Sequence, residues 1–279
     1  MNIREHYRGD DVPAIRLDHA DGSGVEIALQ GGQVLRWWLA SGEEMLYLSP
    51  LARFGDNAAI RGGVPVIFPQ FAERGPLPKH GFARNRRWRL EGQGSDHAEA
   101  AVTLVLEDDE VTRAVWEHAF ALRLRVALAP GKLTMQLTVS NEGGTRFGFT
   151  GALHTYLRVP DMGHAAILGL AGRRFEEGGA ARRQTEEALT WHAGAVDRIY
   201  PDAPWPLYLA TRGEPRLAVH ASGFPDAVVW NPGAAGAGAT PDLPDNAHCG
   251  FVCVEAGCVA QPVILAPGAQ WTGEQCLQA

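Results

Sequence analysis

Residues 122–128 alternate strictly. Leu122, Leu124, Val126 and Leu128 fall on one side, and Arg123 and Arg125 on the other. After Pro130-Gly131 the pattern returns, with Leu133, Met135, Leu137 and Val139 against Lys132, Thr134, Gln136 and Thr138. Successive side chains of a strand point to opposite faces, so this period predicts a hairpin with one buried and one solvated face. The run Asn141–Gly144 is a turn signal that closes the second strand.

Further strands are predicted at 25–29, 33–39, 44–48, 101–106, 145–153, 216–221, 226–230, 250–256, 262–265 and 269–277. The 33 glycines and 18 prolines suit many short strands joined by turns. The acidic stretch 107–118 is the best helix candidate, and no long amphipathic helix is expected. Pro232–Pro241 carries little side-chain mass and reads as a flexible surface loop between two strands. No repeat or break in composition marks a linker. The expectation is one all-β domain over residues 1–279, built as a large antiparallel β sandwich.

Composition excludes several function classes. The formal net charge of −7 argues against nucleic-acid binding. No apolar run is long enough to span a membrane, and the first ten residues lack the apolar core of a signal peptide. A cytoplasmic monomer is therefore expected. The four cysteines (249, 253, 258 and 276) are too few for a disulfide scaffold, and their spacing matches no zinc motif. No metal or cofactor is expected, since P-loop, dinucleotide-binding and nucleophile-elbow motifs are all missing.

The charge is uneven. Between Arg53 and Arg89 eight basic residues face two acidic ones, Asp56 and Glu73, a local excess of six. Subtracting that +6 from −7 leaves −13 for the rest of the chain. Such an island suits a small anionic ligand or a merely solvated face. Within it, Arg61, Gln70, Lys79, His80 and Arg84 flank glycine- and proline-fixed backbone. Paired arginines can clamp an anionic oxygen group through charge-assisted hydrogen bonds.

Three more residues stand out. His154 lies on a strand pattern in phase with Ala152 and Tyr156. Glu255 ends an apolar run on the face of Phe251 and Cys253, where an isolated buried charge is costly. Asp197 sits in Val196–Tyr200. A structural histidine and a surface ion pair between Asp197 and Arg198 would leave the same pattern.

Seven segments together carry a resemblance: RGGVPVIFPQF (61–71), PLPKHGFARNRRW (76–88), TRAVWEHAFALRL (112–124), LHTYLRV (153–159), VDRIY (196–200), PDAVVWNP (225–232) and FVCVEAG (251–257). In this order the chain resembles the hexose-6-phosphate mutarotase branch (glucose-6-phosphate 1-epimerases) of the aldose 1-epimerase superfamily. The resemblance implies a galactose mutarotase-like supersandwich whose concave face holds the site. It implies an isomerase that opens and recloses the sugar ring, with His154 as acid and Glu255 as base. Arg61 and Arg84 would hold the substrate and its phosphate, Asp197 would bind sugar hydroxyls, and His80 would support. Lys79 stands where this branch usually has glutamine. The tryptophan and lysine usual after Trp230-Asn-Pro232 are replaced by the Gly/Ala segment. An aldose 1-epimerase acting on free galactose or glucose, and a non-catalytic sugar-phosphate binding protein, are the alternative expectations.

Overall fold

In the computed structural model the alternating segments form an antiparallel hairpin, Phe120–Ala129 with Lys132–Asn141, in which Leu124 faces Leu137. The structure describes residues 2–4 (backbone only), 12–55, 58–95, 98–191 and 194–279; Asp56 of the basic island and most of the first ten residues lie outside that set. All eight alternating apolar side chains of the hairpin are buried. On the opposite face Arg123 and Arg125 pair with Glu91 and Glu99.

The hairpin belongs to a nine-stranded antiparallel sheet. Its order is Ala188–Thr190, Ala165–Leu168, Leu207–Thr211, Glu214–Ser222, Gln270–Gln278, Lys132–Asn141, Phe120–Ala129, Ala100–Glu107 and Arg89–Ser95. An eight-stranded sheet runs Ala180–Arg183, Arg174–Glu177, Val196–Tyr200, Asp226–Asn231, Phe251–Leu265, Phe147–Leu153 and Val66–Ile67, with Tyr156–Arg158 also paired to Phe251–Leu265. Apolar side chains of both sheets share one core: Val229, Val252 and Val254 from the second join Leu137, Val139 and Leu277 from the first. A four-stranded sheet over Asn2–Arg4, Ala14–Asp18, Gly24–Ala28 and Val34–Trp38 adds Ile15, Val25 and Trp37 to that core. The result is the expected antiparallel β supersandwich.

Some boundaries differ from the sequence reading. Segments 250–256 and 262–265 form one strand, Phe251–Leu265. Pro262 is tolerated there because the neighbouring strand Asp226–Asn231 ends its pairing at Gly257, leaving this stretch open on one side. Residues 44–48 supply only bridges, at Glu44, Leu46 and Leu48. The helix in 107–118 is shorter, Glu110–Val115, set by a capping box between Asp109 and Thr112.

The Gly/Ala segment is not the flexible loop its composition suggested. Gly233–Gly238 is a short helix, and the chain beyond it packs Leu243 and Ala247 against Tyr47, Tyr156 and Phe251. Gly233, with φ 64°, lies so close to the 194–195 backbone that a Cβ there would stand 2.7 Å from the Ala195 nitrogen, a constraint that composition alone reads as laxity.

Candidate active site

The central strands of the eight-stranded sheet are in a register that gathers the site. Leu153 faces Ala256 and Tyr156 faces Cys253, so the same register sets His154 opposite Glu255. Glu255 in turn faces Val228, Cys253 faces Trp230, and Trp230 faces Asp197. Residues opposite one another share a face, so His154, Tyr156, Glu255, Val228, Trp230 and Asp197 all project from the side away from the sandwich core.

Above this floor the 61–84 segment builds a wall. It approaches the four-stranded sheet so closely that a Cβ on Gly63, whose φ is 61°, would stand 2.1 Å from the Val34 carbonyl oxygen. One on Gly62 would meet the Tyr47 carbonyl at 2.4 Å. The glycine pair therefore serves backbone approach and places Arg61. His80 adopts the left-handed conformation with φ 65°, uncommon for a residue with a side chain. Its N–H donates to the Ala72 carbonyl at 3.0 Å, and its Nδ1 accepts from the Ala72 N–H at 3.2 Å. Accepting at Nδ1 places the ring proton on Nε2.

The wall and floor enclose a cleft of about 300 Å³, within the range of small-molecule sites. Arg61, Lys79, His80, Arg84, His154, Asp197 and Glu255 all line it. Gln70, also expected at the site, does not. Its buried amide donates to the Ala72 and Leu77 carbonyls and accepts from the Leu77 N–H, bracing the 70–77 turn.

At the base of the cleft, His154 Nε2 stands 3.3 Å from Glu255 Oε1, both side chains being buried. The imidazole stacks on Tyr156 at 4.9 Å and meets His80 and Trp230 edge-on at 5.6 and 5.9 Å. His154 Nδ1 and Glu255 Oε2 are buried without a hydrogen-bond partner among the described residues. Such atoms are rare in folded proteins and mark places where a polar ligand gains the most.

Electrostatics favour the uncharged pair. Burial, then Asp197, pushes the Glu255 carboxyl well above its ordinary range, against the pull of Arg84. Burial, then His80, Arg84 and Arg61, holds His154 well below the usual imidazole range. Burial leads both shifts; the cationic wall adds to that of His154 and works against that of Glu255. His80 is held down to about 3 by burial and by Arg84, Lys79 and Arg61, so it faces the cleft as a neutral Nε2–H donor.

The basic island divides. Arg74, Arg86 and Arg89 are engaged with Glu176, Asp109 and Glu107, away from the cleft. Arg61 donates from Nε to Asp242 Oδ1 at 3.0 Å and from Nη1 to the Tyr156 hydroxyl at 3.1 Å. Arg84 donates to the Lys79 carbonyl at 3.1 Å and makes no ion pair among the described residues. Asp197 makes no ion pair with Arg198, which is held by Glu177. Asp242, Tyr156, Trp230 and Thr240 were not singled out from sequence. Tyr156 carried a usable signal, its strand phase with His154. Thr240 was hidden in the segment read as a loose loop, and Asp242 directly follows it.

Among the described residues no cluster of His, Cys, Asp or Glu is arranged to hold a metal ion, and the four cysteines are free. No helix there is long and apolar enough to cross a membrane.

An antiparallel supersandwich with an imidazole and a carboxylate converging in a cation-walled cleft defines a protein of the mutarotase class. The chain belongs to the aldose 1-epimerase family, whose profile matches residues 13–278. Relatives named "Putative glucose-6-phosphate 1-epimerase" occur in Cenchrus ciliaris and Escherichia coli. The first is 38% identical over 91% of this chain and 81% of the relative. The second is 34% identical over 88% and 83%. The crystal structure of a "putative mutarotase (YeaD)" from Salmonella typhimurium superposes with a TM-score of 0.87 at 30% identity, covering 96% of this chain and 90% of that one. A galactose mutarotase related enzyme from Lactobacillus acidophilus shares the fold, with a TM-score of 0.73 at 17% identity over 95% and 96%.

Proposed function

We propose that this protein interconverts the α and β anomers of a hexose 6-phosphate, glucose 6-phosphate being the first substrate to test. The observation that carries the reading is the 3.3 Å approach of His154 to Glu255 in a cleft walled by Arg61, Arg84 and Lys79. Glu255 removes the proton from the C1 hydroxyl while His154 protonates the ring oxygen. The C1–O5 bond breaks as the C1 carbonyl forms. Rotation about C1–C2 presents the other carbonyl face, and reclosure with the two roles reversed inverts C1. The pair carries one mobile proton throughout, on the imidazole before ring opening and on the carboxyl after it. Each positioned proton-transfer group of this kind contributes about 10²–10⁴-fold in rate.

Burial favours the neutral form of the pair, so substrate must promote the ion-paired form. Sugar hydroxyls donating to Glu255 replace hydration lost on burial and favour its carboxylate. Trp230 offers an apolar face to the sugar ring, and Asp197 at the rim accepts from its hydroxyls. Arg84 and Lys79, with Arg61, hold the phosphate; anchoring that distant group orients C1 over the pair. We assign one domain over residues 1–279, acting as a cytoplasmic monomer on a small-molecule substrate, without cofactor, nucleic acid or membrane.

One observation favours a free aldose instead: Asp242 already neutralises Arg61. NMR exchange between glucose 6-phosphate anomers, with and without protein and in the presence of a chelator, tests the activity. The same measurement on glucose separates the two substrates. Faster exchange of glucose than of its phosphate would refute the phosphate assignment, and no acceleration of either would refute the catalytic one.

A further inference from the structure

Thr155 and Gln275 are polar, fully buried, and absent from the cleft. They meet inside the sandwich, where the Thr155 hydroxyl donates to Gln275 Oε1 and Gln275 Nε2 donates to the Val254 carbonyl at 3.1 Å. The carbonyl can only accept, so it orients the amide and leaves the hydroxyl as donor.

The link sits at a break in the ladder. Phe147–Leu153 ends and Tyr156–Arg158 begins beyond His154 and Thr155. By register Thr155 pairs with Val254, and the two would exchange N–H and C=O in both directions. Only half of that exchange is made. The Val254 N–H donates to the Thr155 carbonyl at 3.1 Å, but the Thr155 N–H folds back to the Leu153 carbonyl at 3.0 Å. Gln275, from the other sheet, supplies the donor that the Val254 carbonyl lost. Thr155 adjoins His154, and Val254 adjoins Glu255.

We propose that Thr155 and Gln275 are positioning residues for the His154–Glu255 pair. Their hydroxyl–amide–carbonyl link fixes, from the far side of the sheet, the spacing of the two backbone segments that carry it. The inference rests on the mutarotase reading of the pair. A purely structural role would require only that the buried groups be satisfied, and its loss would register in stability alone.

The test compares Thr155→Val, which keeps the shape and removes the hydroxyl, with Thr155→Ser, which keeps the hydroxyl. Anomer exchange of glucose 6-phosphate gives kcat and KM across pH, and thermal melts are run beside it. Small misplacement of reacting groups is costly in rate. Thr155→Val is therefore expected to lower kcat about 10-fold or more, leave KM within about 2-fold and displace a limb of the pH profile. Thr155→Ser is expected to stay within about 3-fold of the parent. Gln275→Met cuts the same link from the other sheet and serves if Thr155→Val does not fold. The double variant is expected to lose little more than the worse single, because both act through one link. A kcat unchanged by Thr155→Val or Gln275→Met, equal losses in the Val and Ser variants, or additive losses in the double variant overturn the proposal. Absence of acceleration by the parent protein overturns the mutarotase reading and this inference with it, whereas a failed Val–Ser contrast sinks the inference alone.

Discussion

Asp242 grips Arg61, its Oδ1 3.0 Å from the guanidinium Nε, while its own carbonyl accepts from the Ser49 hydroxyl at 2.6 Å. The Gly/Ala segment is thus fastened to the wall that carries the cations. Burial opposes the Arg61 charge, but Tyr156 and Asp242 outweigh it and keep it firmly protonated. An anion entering the cleft meets a field that Asp242 has partly cancelled. Asp242→Asn keeps an acceptor for Nε and removes the charge. Inorganic phosphate is then expected to compete about 3- to 10-fold more tightly, equivalent to about 0.7–1.4 kcal/mol for one charge near a surface. Inhibition constants at fixed ionic strength measure this, and unchanged inhibition would show that phosphate sits outside the reach of Asp242.

The His154–Glu255 pair makes a joint prediction about rate and pH. Glu255→Gln preserves shape and removes the base, so kcat is expected to fall about 10²–10⁴-fold with KM within a few-fold. In the parent protein the active form holds one proton on the pair. Adding a second proton requires charging His154, which is held well below 6.5. Removing the first requires ionising Glu255, which is held well above 4.5. The acid limb should therefore lie well below 6.5 and the alkaline limb well above 4.5. The profile of kcat/KM, which reports the free protein, checks this, and NMR of labelled imidazole should show His154 still neutral as the pH drops below 6.5. An acid limb at or above 6.5 contradicts the enclosure described here.

His80 ties the site to acid stability. Its folded pKa of about 3 lies below the unfolded value near 6.5. The contribution is fully present above 6.5 and is lost progressively as pH falls toward 3, because the unfolded chain binds the proton first. Asparagine tolerates the left-handed backbone at this position and offers an oxygen to the Ala72 N–H. His80→Asn should therefore lose stability less steeply between pH 6.5 and 3, by up to about 1.4 kcal/mol per pH unit for the one proton removed. Denaturant midpoints at several pH values decide it. Equal slopes in parent and variant would mean that His80 charges freely in the folded protein.

Much of this arrangement was legible before any coordinates. Strands with one buried face write themselves as alternation, which is why Phe120–Ala129, Lys132–Asn141 and Gln270–Gln278 were found nearly to their ends. The same parity put Glu255 with Cys253 and His154 with Tyr156, and both pairs do share a face of the sheet. Strands without a buried face left no such trace: Ala180–Arg183 is exposed at every position and was missed. Gln70 was misread because a turn brace and a ligand contact both put an amide beside glycine and proline. Asp242 was overlooked because neighbours with little side chain pack by backbone proximity, which hydropathy does not register.

The two cleft arginines differ in a way that substrate preference can expose. Arg61 is committed to Asp242 and Tyr156, whereas Arg84 binds only the Lys79 carbonyl and has a buried Nε without a partner among the described residues. Burial, relieved in part by Tyr156 and reinforced by the like charge of Arg61, lowers the Arg84 pKa, though an arginine remains charged. An incoming phosphate dianion would gain charge-assisted bonds at Arg84 without first displacing a carboxylate. Hydrogen bonds to charged groups contribute about 1.5–3 kcal/mol, so Arg84→Ala is expected to raise KM for glucose 6-phosphate about 10- to 150-fold. Turnover of glucose should change little, since it lacks the group Arg84 holds. Lys79 is exposed, where solvent screens its charge, and Lys79→Ala should cost only about 2- to 5-fold on the same comparison. Steady-state exchange rates on both sugars measure each effect. If Arg84→Ala depresses the two substrates equally, Arg84 supports the shape of the cleft, and the phosphate is held elsewhere.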